Sequence, residues 1–350
     1  MTGEPRPTVI NGYFYKQKTT GVQRVAQQVV LALDKIAGRG VFELVAPISA
    51  RVPELENIEV VRCGDGNLCK WEQVDLRDYL KRNGRKCVSL CQSAPLGHCD
   101  FFAIYDCAYV AHRDLFDGMR GRLSCEYHTL MFREAARHAR AIFTDSEDAR
   151  DEIHSVLGVP QERIVVIGCG WEHLRGVEAS GDALERHGLV PGDYCFALGG
   201  GKNKNLEWVY RMAAVNPGST FVIAGKRAIS NAAEYGDQAN VRQLGYVTDE
   251  DVKALMSHCR AFLFPSTYEG FGIPPLEALA CGAPIVVSDI PVLRETYGDA
   301  AVYVNPHRYD YDLDVLVGRP CSGRKAVLER NTWARSAKML LEAIENGARE

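Results

Sequence analysis

The stretch Glu269-Gly-Phe-Gly-Ile-Pro-Pro-Leu-Glu277 sets two carboxylates eight positions apart around two glycines and two prolines. Carboxylates accept hydrogen bonds, so such a pair suits the hydroxyls of a sugar or a ribose. Gly270 and Gly272 let backbone N–H groups come close to a ligand and take positive φ. Pro274 and Pro275 fit the first turn of a helix, where no amide hydrogen is needed, and Gly282 ends that helix about two turns later. The apolar run ending at Phe264 predicts a strand leading into the loop, with Glu269 on the loop and Glu277 in the first helical turn. A helix N-terminus above strand ends is a place for phosphate, and open α/β sheets hold their ligands there. On these grounds alone the segment is equally a Gly/Pro-rich turn with two surface glutamates.

A second candidate is Gly199-Gly-Gly-Lys202-Asn-Lys204-Asn205-Leu, which follows one apolar run and opens an amphipathic one. Its backbone can approach phosphate, and Lys202 and Lys204 can neutralise it. The spacing is neither that of a P-loop nor the Gly-x-Gly-x-x-Gly of a dinucleotide site. Lys226, in Ile223-Ala-Gly-Lys, is a further cation after an apolar run, equally a surface lysine. In the first half, Thr19-Thr-Gly21-Val-Gln23-Arg24 joins an early strand to an amphipathic stretch; its glycine permits close approach to a ligand. His112 and His128 stand singly and read as surface or core histidines. Asp310-Tyr-Asp312-Leu-Asp314 has the form of a metal-binding Asp-x-Asp but reads as a solvated loop.

The elements needed to position these residues are legible mainly between 192 and 305. Tyr194–Leu198, Thr220–Ala224, Ala261–Phe264 and Pro284–Val287 predict strands; Lys204–Ala214 predicts a helix, and Thr248-Asp-Glu-Asp a capped helix start. Short runs apolar on both faces, alternating with helices, indicate a parallel, helix-covered sheet. The first half alternates similarly: Thr8–Ile10, a helix after Gly21 with Val22, Val25, Val29, Val30 and Leu33 on one stripe, then Ile58–Arg62, Phe101–Ile104, Ala141–Phe143 and Ile164–Ile167. Mixed composition over 174–193 places the inter-domain connection there. The expected α/β architecture is two open parallel-sheet domains facing a cleft, 1–180 and 181–330, with a final helix in 331–350.

Bulk properties exclude several classes. At 350 residues the chain exceeds one typical core. A net charge of −4 gives no global field for nucleic acid; the run Lys81–Lys86 reads as a solvated helix end. The 12 cysteines lack Cys-x-x-Cys or Cys/His spacing, which points to reduced thiols in the cytoplasm rather than a zinc site. Met1–Pro7 carries no long apolar run, so no signal peptide is expected. No stretch reaches the roughly 18 uninterrupted apolar residues of a membrane span, and basic and apolar patches over Arg113–Arg122 leave peripheral contact with the inner face of a membrane open.

As a set, Glu269 to Val286 resembles the family-four retaining glycosyltransferases, whose fold is GT-B: two Rossmann-like parallel-sheet domains, with a C-terminal helix crossing back to the first. The resemblance runs from about Tyr194 to Pro306 and takes in Gly245-Tyr-Val-Thr-Asp-Glu-Asp, Pro265-Ser-Thr-Tyr-Glu and Ser288-Asp-Ile-Pro-Val-Leu-Arg-Glu. It implies that the first half binds the acceptor and the second the nucleotide-sugar donor. Glu269 then lies beside the donor sugar and Glu277 holds the ribose. Amides at Gly270, Phe271 and Gly272 meet sugar hydroxyls, and those near Leu276 meet the diphosphate. Gly199–Leu206 resembles the Arg-Lys-Asn-Leu element of a mannosyltransferase-like subgroup. Lys204 takes the diphosphate, Asn205 supports the helix start, and Asn203 stands where the subgroup has arginine, with Lys202 beside it. Tyr246 falls where the family touches the base, although it is equally a core aromatic by type. Gly21, Gln23 and Arg24 fall in a loop that closes over the donor phosphate and reaches the acceptor. Tyr105-Asp106 occupies the place of a His-Asp pair, where Asp106 would orient or deprotonate the acceptor hydroxyl.

The resemblance implies transfer of a hexose, GDP-mannose being the first-choice donor, to a saccharide or lipid-linked oligosaccharide, with retention and in surface polysaccharide synthesis. Cations and amides stabilise the departing diphosphate, so neither metal nor other cofactor is expected. The alternatives are a nucleotide-sugar epimerase or a phosphorylase of the same fold, a nicotinamide-dependent oxidoreductase, and a non-catalytic nucleotide-sugar binder.

Overall fold

The computed structural model describes residues 7–98, 100–225 and 238–348. The chain divides into two compact units, one running to Cys169 and resuming at Trp333, the other spanning Gly170–Thr332. The expected break within 174–193 is therefore corrected to 169/170. The physical reason lies in Gly170–Val177, which is fastened inside the second unit. Trp171 Nε1 donates to Leu328 O at 3.0 Å, and Lys253 Nζ donates to the carbonyls of Leu174 and Val177 at 2.8 and 2.6 Å.

The first unit holds a parallel sheet of β1 (Thr8–Asn11), β2 (Phe42–Ala46), β3 (Glu59–Arg62), β4 (Cys87–Ser89), β5 (Phe101–Ala103), β6 (Ala141–Thr144) and β7 (Ile164–Val166), in the order β3-β2-β1-β4-β5-β6-β7. The central strands are buried along their length, as a sheet covered on both faces requires. The helix Gly21–Asp34 buries Val25, Ala26, Val29, Val30 and Leu33 on one face. Removing each of these Val or Leu side chains from water contributes roughly 1.5–3 kcal/mol. The C-terminal helix Trp333–Ala348 belongs to this unit: it packs on the helix Gly21–Asp34 and on β6 and β7, with Trp333, Ala337, Leu340 and Ile344 buried.

The second unit holds β8 (Tyr194–Gly199), β9 (Thr220–Gly225), β10 (Val241–Gly245), β11 (Ala261–Phe264), β12 (Ile285–Ser288) and β13 (Val302–Val304), ordered β10-β9-β8-β11-β12-β13 and parallel throughout its described ladders. The chain runs from β8 outward to β10, then returns to place β11 on the other side of β8. The β8/β11 junction is thus the point where strand order reverses. Loops leaving the carboxyl ends of two such strands diverge and leave a crevice, the usual ligand position in this architecture. At the far end of β8, Gly199 pairs with Gly225, whose φ is +93°; a Cβ there would meet Gly199 O at 2.8 Å.

Candidate functional site

Both sequence candidates fall at the β8/β11 junction. The loop after β8 carries Lys202, Lys204 and Asn205; the loop after β11 carries Glu269. Several contacts clasp them. Thr267 N donates to Asn203 O at 2.8 Å, Asn203 Nδ2 to Tyr268 O at 3.0 Å, and Asn205 Nδ2 to Pro265 O at 3.0 Å. Lys204 Nζ meets Glu269 Oε1 at 2.6 Å and sits 4.7 Å above the Phe264 ring. Asn203, in the place of the subgroup's arginine, also reaches Glu269 Oε1 at 3.3 Å. It adds a loop contact where a second cation was the alternative. Lys202 is exposed in the same turn.

The helix expected from Lys204 begins instead at Leu206 and runs to Val215. Asn205 precedes it with φ +49°, a left-handed conformation that Asn tolerates better than most residues and that cannot continue a helix. Its amide bridges Pro265 O and Pro306 O, so it ties the helix start to the loops after β11 and β13.

The β11 loop feeds the helix Ile273–Cys281, with prolines in its first turn and Gly282 closing it at φ +100°, as the residue pattern requires. Gly272 caps the helix at φ +92°. A Cβ there would meet Leu293 Cδ2 at 2.7 Å, and the Tyr297 hydroxyl donates to Gly272 O. Phe271 and Leu276 are buried, so these residues can offer a ligand only their backbone. Glu277 is the fifth helical residue, past the first turn where it was expected, because the helix opens at Ile273. Its side chain is 12% exposed and accepts from His173 Nε2 at 2.9 Å. Sequence reasoning passed over His173: it is a lone histidine 104 positions from its partner, and no local pattern marks it.

Tyr246 follows β10 and is 78% exposed, which removes the core-aromatic alternative. Lys226 lies outside the described residues. Gly21, Arg24 and Asp106 belong to the first unit. Gly21 opens its helix, and Gln23 caps it with Thr20, so Gln23 serves the helix start. Asp106 Oδ1 accepts from Ala108 N at 2.9 Å, and burial raises the Tyr105 hydroxyl, which donates to Leu90 O. His128 stacks on Tyr109 at 3.9 Å, and burial lowers its pKa. Asp312 caps the helix Leu313–Val317 while Asp310 pairs with Arg308. Among the described residues no cluster of three or more His, Cys, Asp or Glu side chains could hold a metal ion.

Residues 200–310, which contain both loops that meet at this crevice, match the family described as glycosyl transferases group 1. Over 192 residues the chain is 31% identical to the O-antigen chain mannosyltransferase B of Escherichia coli, covering 51% of this chain and 50% of that protein. It is 30% identical over 188 residues to the O-antigen chain mannosyltransferase RfbU of Salmonella typhimurium, with 51% of each covered. The matched stretch thus spans about half the length of these relatives. Among solved structures, sucrose-phosphate synthase from Thermosynechococcus elongatus superposes with a TM-score of 0.73 at 15% identity, covering 98% of this chain and 99% of that one. Anabaena HepE in complex with UDP and glucose gives 0.69 at 14% identity, covering 97% and 99%. The chain thus has the GT-B fold, two Rossmann-like parallel-sheet units.

Proposed function

We propose that the chain transfers a hexose from a nucleotide-diphosphate sugar, GDP-mannose first, to a hydroxyl of a saccharide or lipid-linked oligosaccharide, with retention of configuration. The observation that carries this reading is the pairing of Lys204 with Glu269 across the β8/β11 junction, beside the helix that Gly272 opens. A cation, a carboxylate and a helix start are the three features needed by a diphosphate joined to a sugar. The likeness to O-antigen mannosyltransferases supports mannose and surface polysaccharide as the setting.

In the proposed reaction the bond from the anomeric carbon to the diphosphate oxygen breaks as the acceptor oxygen bonds to that carbon on the same face. The acceptor proton passes to the departing phosphate. Negative charge grows on the diphosphate, and Lys204 and the amides at Gly272 and Ile273 would stabilise it. These groups supply the charge that a metal would otherwise bring, so a metal-independent reaction is the expectation. Glu269 would accept from the sugar hydroxyls, Glu277 from the ribose, and Tyr246 would lie against the base. The cysteines, free among the described residues, fit a reducing cytoplasm. No helix among the described residues is long and apolar enough to cross a membrane; peripheral contact through Arg113–Arg122 remains part of the proposal.

A thermal-shift panel of nucleotide sugars tests the reading, since a ligand at 100 times its Kd stabilises by about 2.7 kcal/mol. GDP-mannose should raise the melting temperature. The reading falls if no nucleoside diphosphate or nucleotide sugar does so, or if Lys204→Ala and Glu269→Ala both transfer sugar at near-normal rates.

A further inference from the structure

His173 lies in the short turn Glu172–Gly176, where the chain has just entered the second unit. The turn is fixed from two sides. Trp171 Nε1 donates to Leu328 O, and Lys253 Nζ, from the helix Asp249–His258, holds the carbonyls of Leu174 and Val177. Between these anchors the His173 side chain is 3% exposed and Nε2 stands 2.9 Å from Glu277 Oε1. A carboxylate only accepts, so Nε2 carries the hydrogen. A glutamate has three rotatable bonds and, on a helix surface, sweeps a wide arc; a buried donor on one oxygen stops that sweep.

We propose that His173 is a positioning residue for Glu277: it holds Oε1 and thereby aims Oε2 at the vicinal hydroxyls of a nucleotide ribose. The inference rests on the reading of Glu277 as the ribose acceptor. It adds that this acceptor works only when aimed, and that the aiming group lies outside residues 200–310, on the segment entering the unit. The ribose selectivity of the donor site is then set in part by a residue that never touches the donor.

The test measures binding of GDP and UDP, and of their 2′,3′-dideoxy counterparts, to wild type, His173→Leu, His173→Gln and His173→Asn by titration calorimetry. The Gln amide nitrogen reaches the position of Nε2, whereas the Asn amide stops short of it. Wild type should prefer the ribose ligand about tenfold or more, the usual effect of a hydrogen bond to a charged group. His173→Leu and His173→Asn should lose most of that preference with dideoxy binding unchanged, and His173→Gln should keep it. In turnover, the loss should appear in the donor KM with kcat little altered. Equal weakening of ribose and dideoxy ligands, or an unchanged preference in His173→Leu, overturns the positioning role. If His173→Leu does not fold, equal preferences in the Gln and Asn variants overturn it as well. A wild type that binds both ligand types alike refutes the ribose role of Glu277, and the inference with it, while leaving the diphosphate site intact.

Discussion

Lys204 Nζ lies 2.6 Å from Glu269 Oε1, so the proposed diphosphate cation and the proposed sugar carboxylate are partners of each other across the strand-order reversal. A diphosphate reaching Lys204 competes with Glu269 for the same ammonium group. The pair therefore acts as a unit, and its two members should not contribute independently.

Lys204→Ala should lower kcat/KM by about 10²–10³, the usual effect of deleting one preorganised charge stabiliser. Glu269→Ala should also be severe. The double variant should lose much less than the product of the two single losses, because each single change already disables the partner. Steady-state kinetics on all three variants checks this; multiplicative losses would show that the two residues work separately.

Asn205 combines a left-handed backbone with an amide shared by Pro265 O and Pro306 O. Asn205→Gly keeps the backbone conformation and loses the bridges, at a cost of about 1–3 kcal/mol for carbonyls left without a donor. Asn205→Ala adds backbone strain of about 1 kcal/mol. Chemical denaturation should rank wild type above glycine and glycine above alanine. An alanine variant as stable as the glycine variant would contradict the role given to φ.

Gly272→Ala places a methyl group 2.7 Å from Leu293 Cδ2 at a φ of +92°. Leu293 is fully buried and has little room to yield. The expected loss is about 1–3 kcal/mol, or about 2–4 °C of melting temperature per kcal/mol for a unit of this size. The donor KM should rise as well, because the displaced backbone carries the amides proposed for the ligand.

Glu72 is fully buried and accepts from Asn11 Nδ2 at 2.7 Å, Ser93 Oγ at 2.8 Å and Tyr127 Oη at 3.0 Å. Burial nevertheless dominates these donors and raises its pKa above the ordinary 4.5. A raised carboxyl pKa means the native state holds the proton more tightly than the unfolded chain. Its contribution is complete below 4.5 and disappears as pH rises through the raised value. Glu72→Gln should remove this slope, so the stability difference between variant and wild type should move in favour of the variant as pH rises from 4.5. A difference that stays flat with pH would refute the assignment.

The sequence was most informative where one physical rule dominated. Ala261–Phe264 is apolar on both faces and was bounded to the residue, and Thr248 caps its helix as its type suggests. Other strands were hidden. β2 contains the buried Glu43, which accepts from the Tyr79 hydroxyl, and that charge interrupts an otherwise apolar run. Cys87–Ser89 is too short to show a period, and β10 is an edge strand with Arg242 and Gln243 exposed. At the candidate site, types and spacing singled out the loops that carry Lys204 and Glu269 but left each equally a plain turn, and the roles proposed for Lys204, Glu269 and Glu277 came from the resemblance. His173 escaped because its partner comes close only through the fold, and Asn205 shortened a helix by a backbone angle that composition does not reveal.

The helix Trp333–Ala348 gives the chain an unusual order of completion. Its buried face packs on the first helix of the first unit, Ser336 Oγ donates to Gly168 O, and Arg140 Nη1 donates to Gly347 O. Ribosomal synthesis makes these residues only after the whole second unit. Domains that emerge early usually close early, but here the unit begun first must wait for its last piece while the later one finishes. A chain stopped at Thr332 should therefore show a protease-resistant second unit beside a first unit that is cut readily, with the apolar stripe of Val25, Val29 and Leu33 left for chaperones to hold.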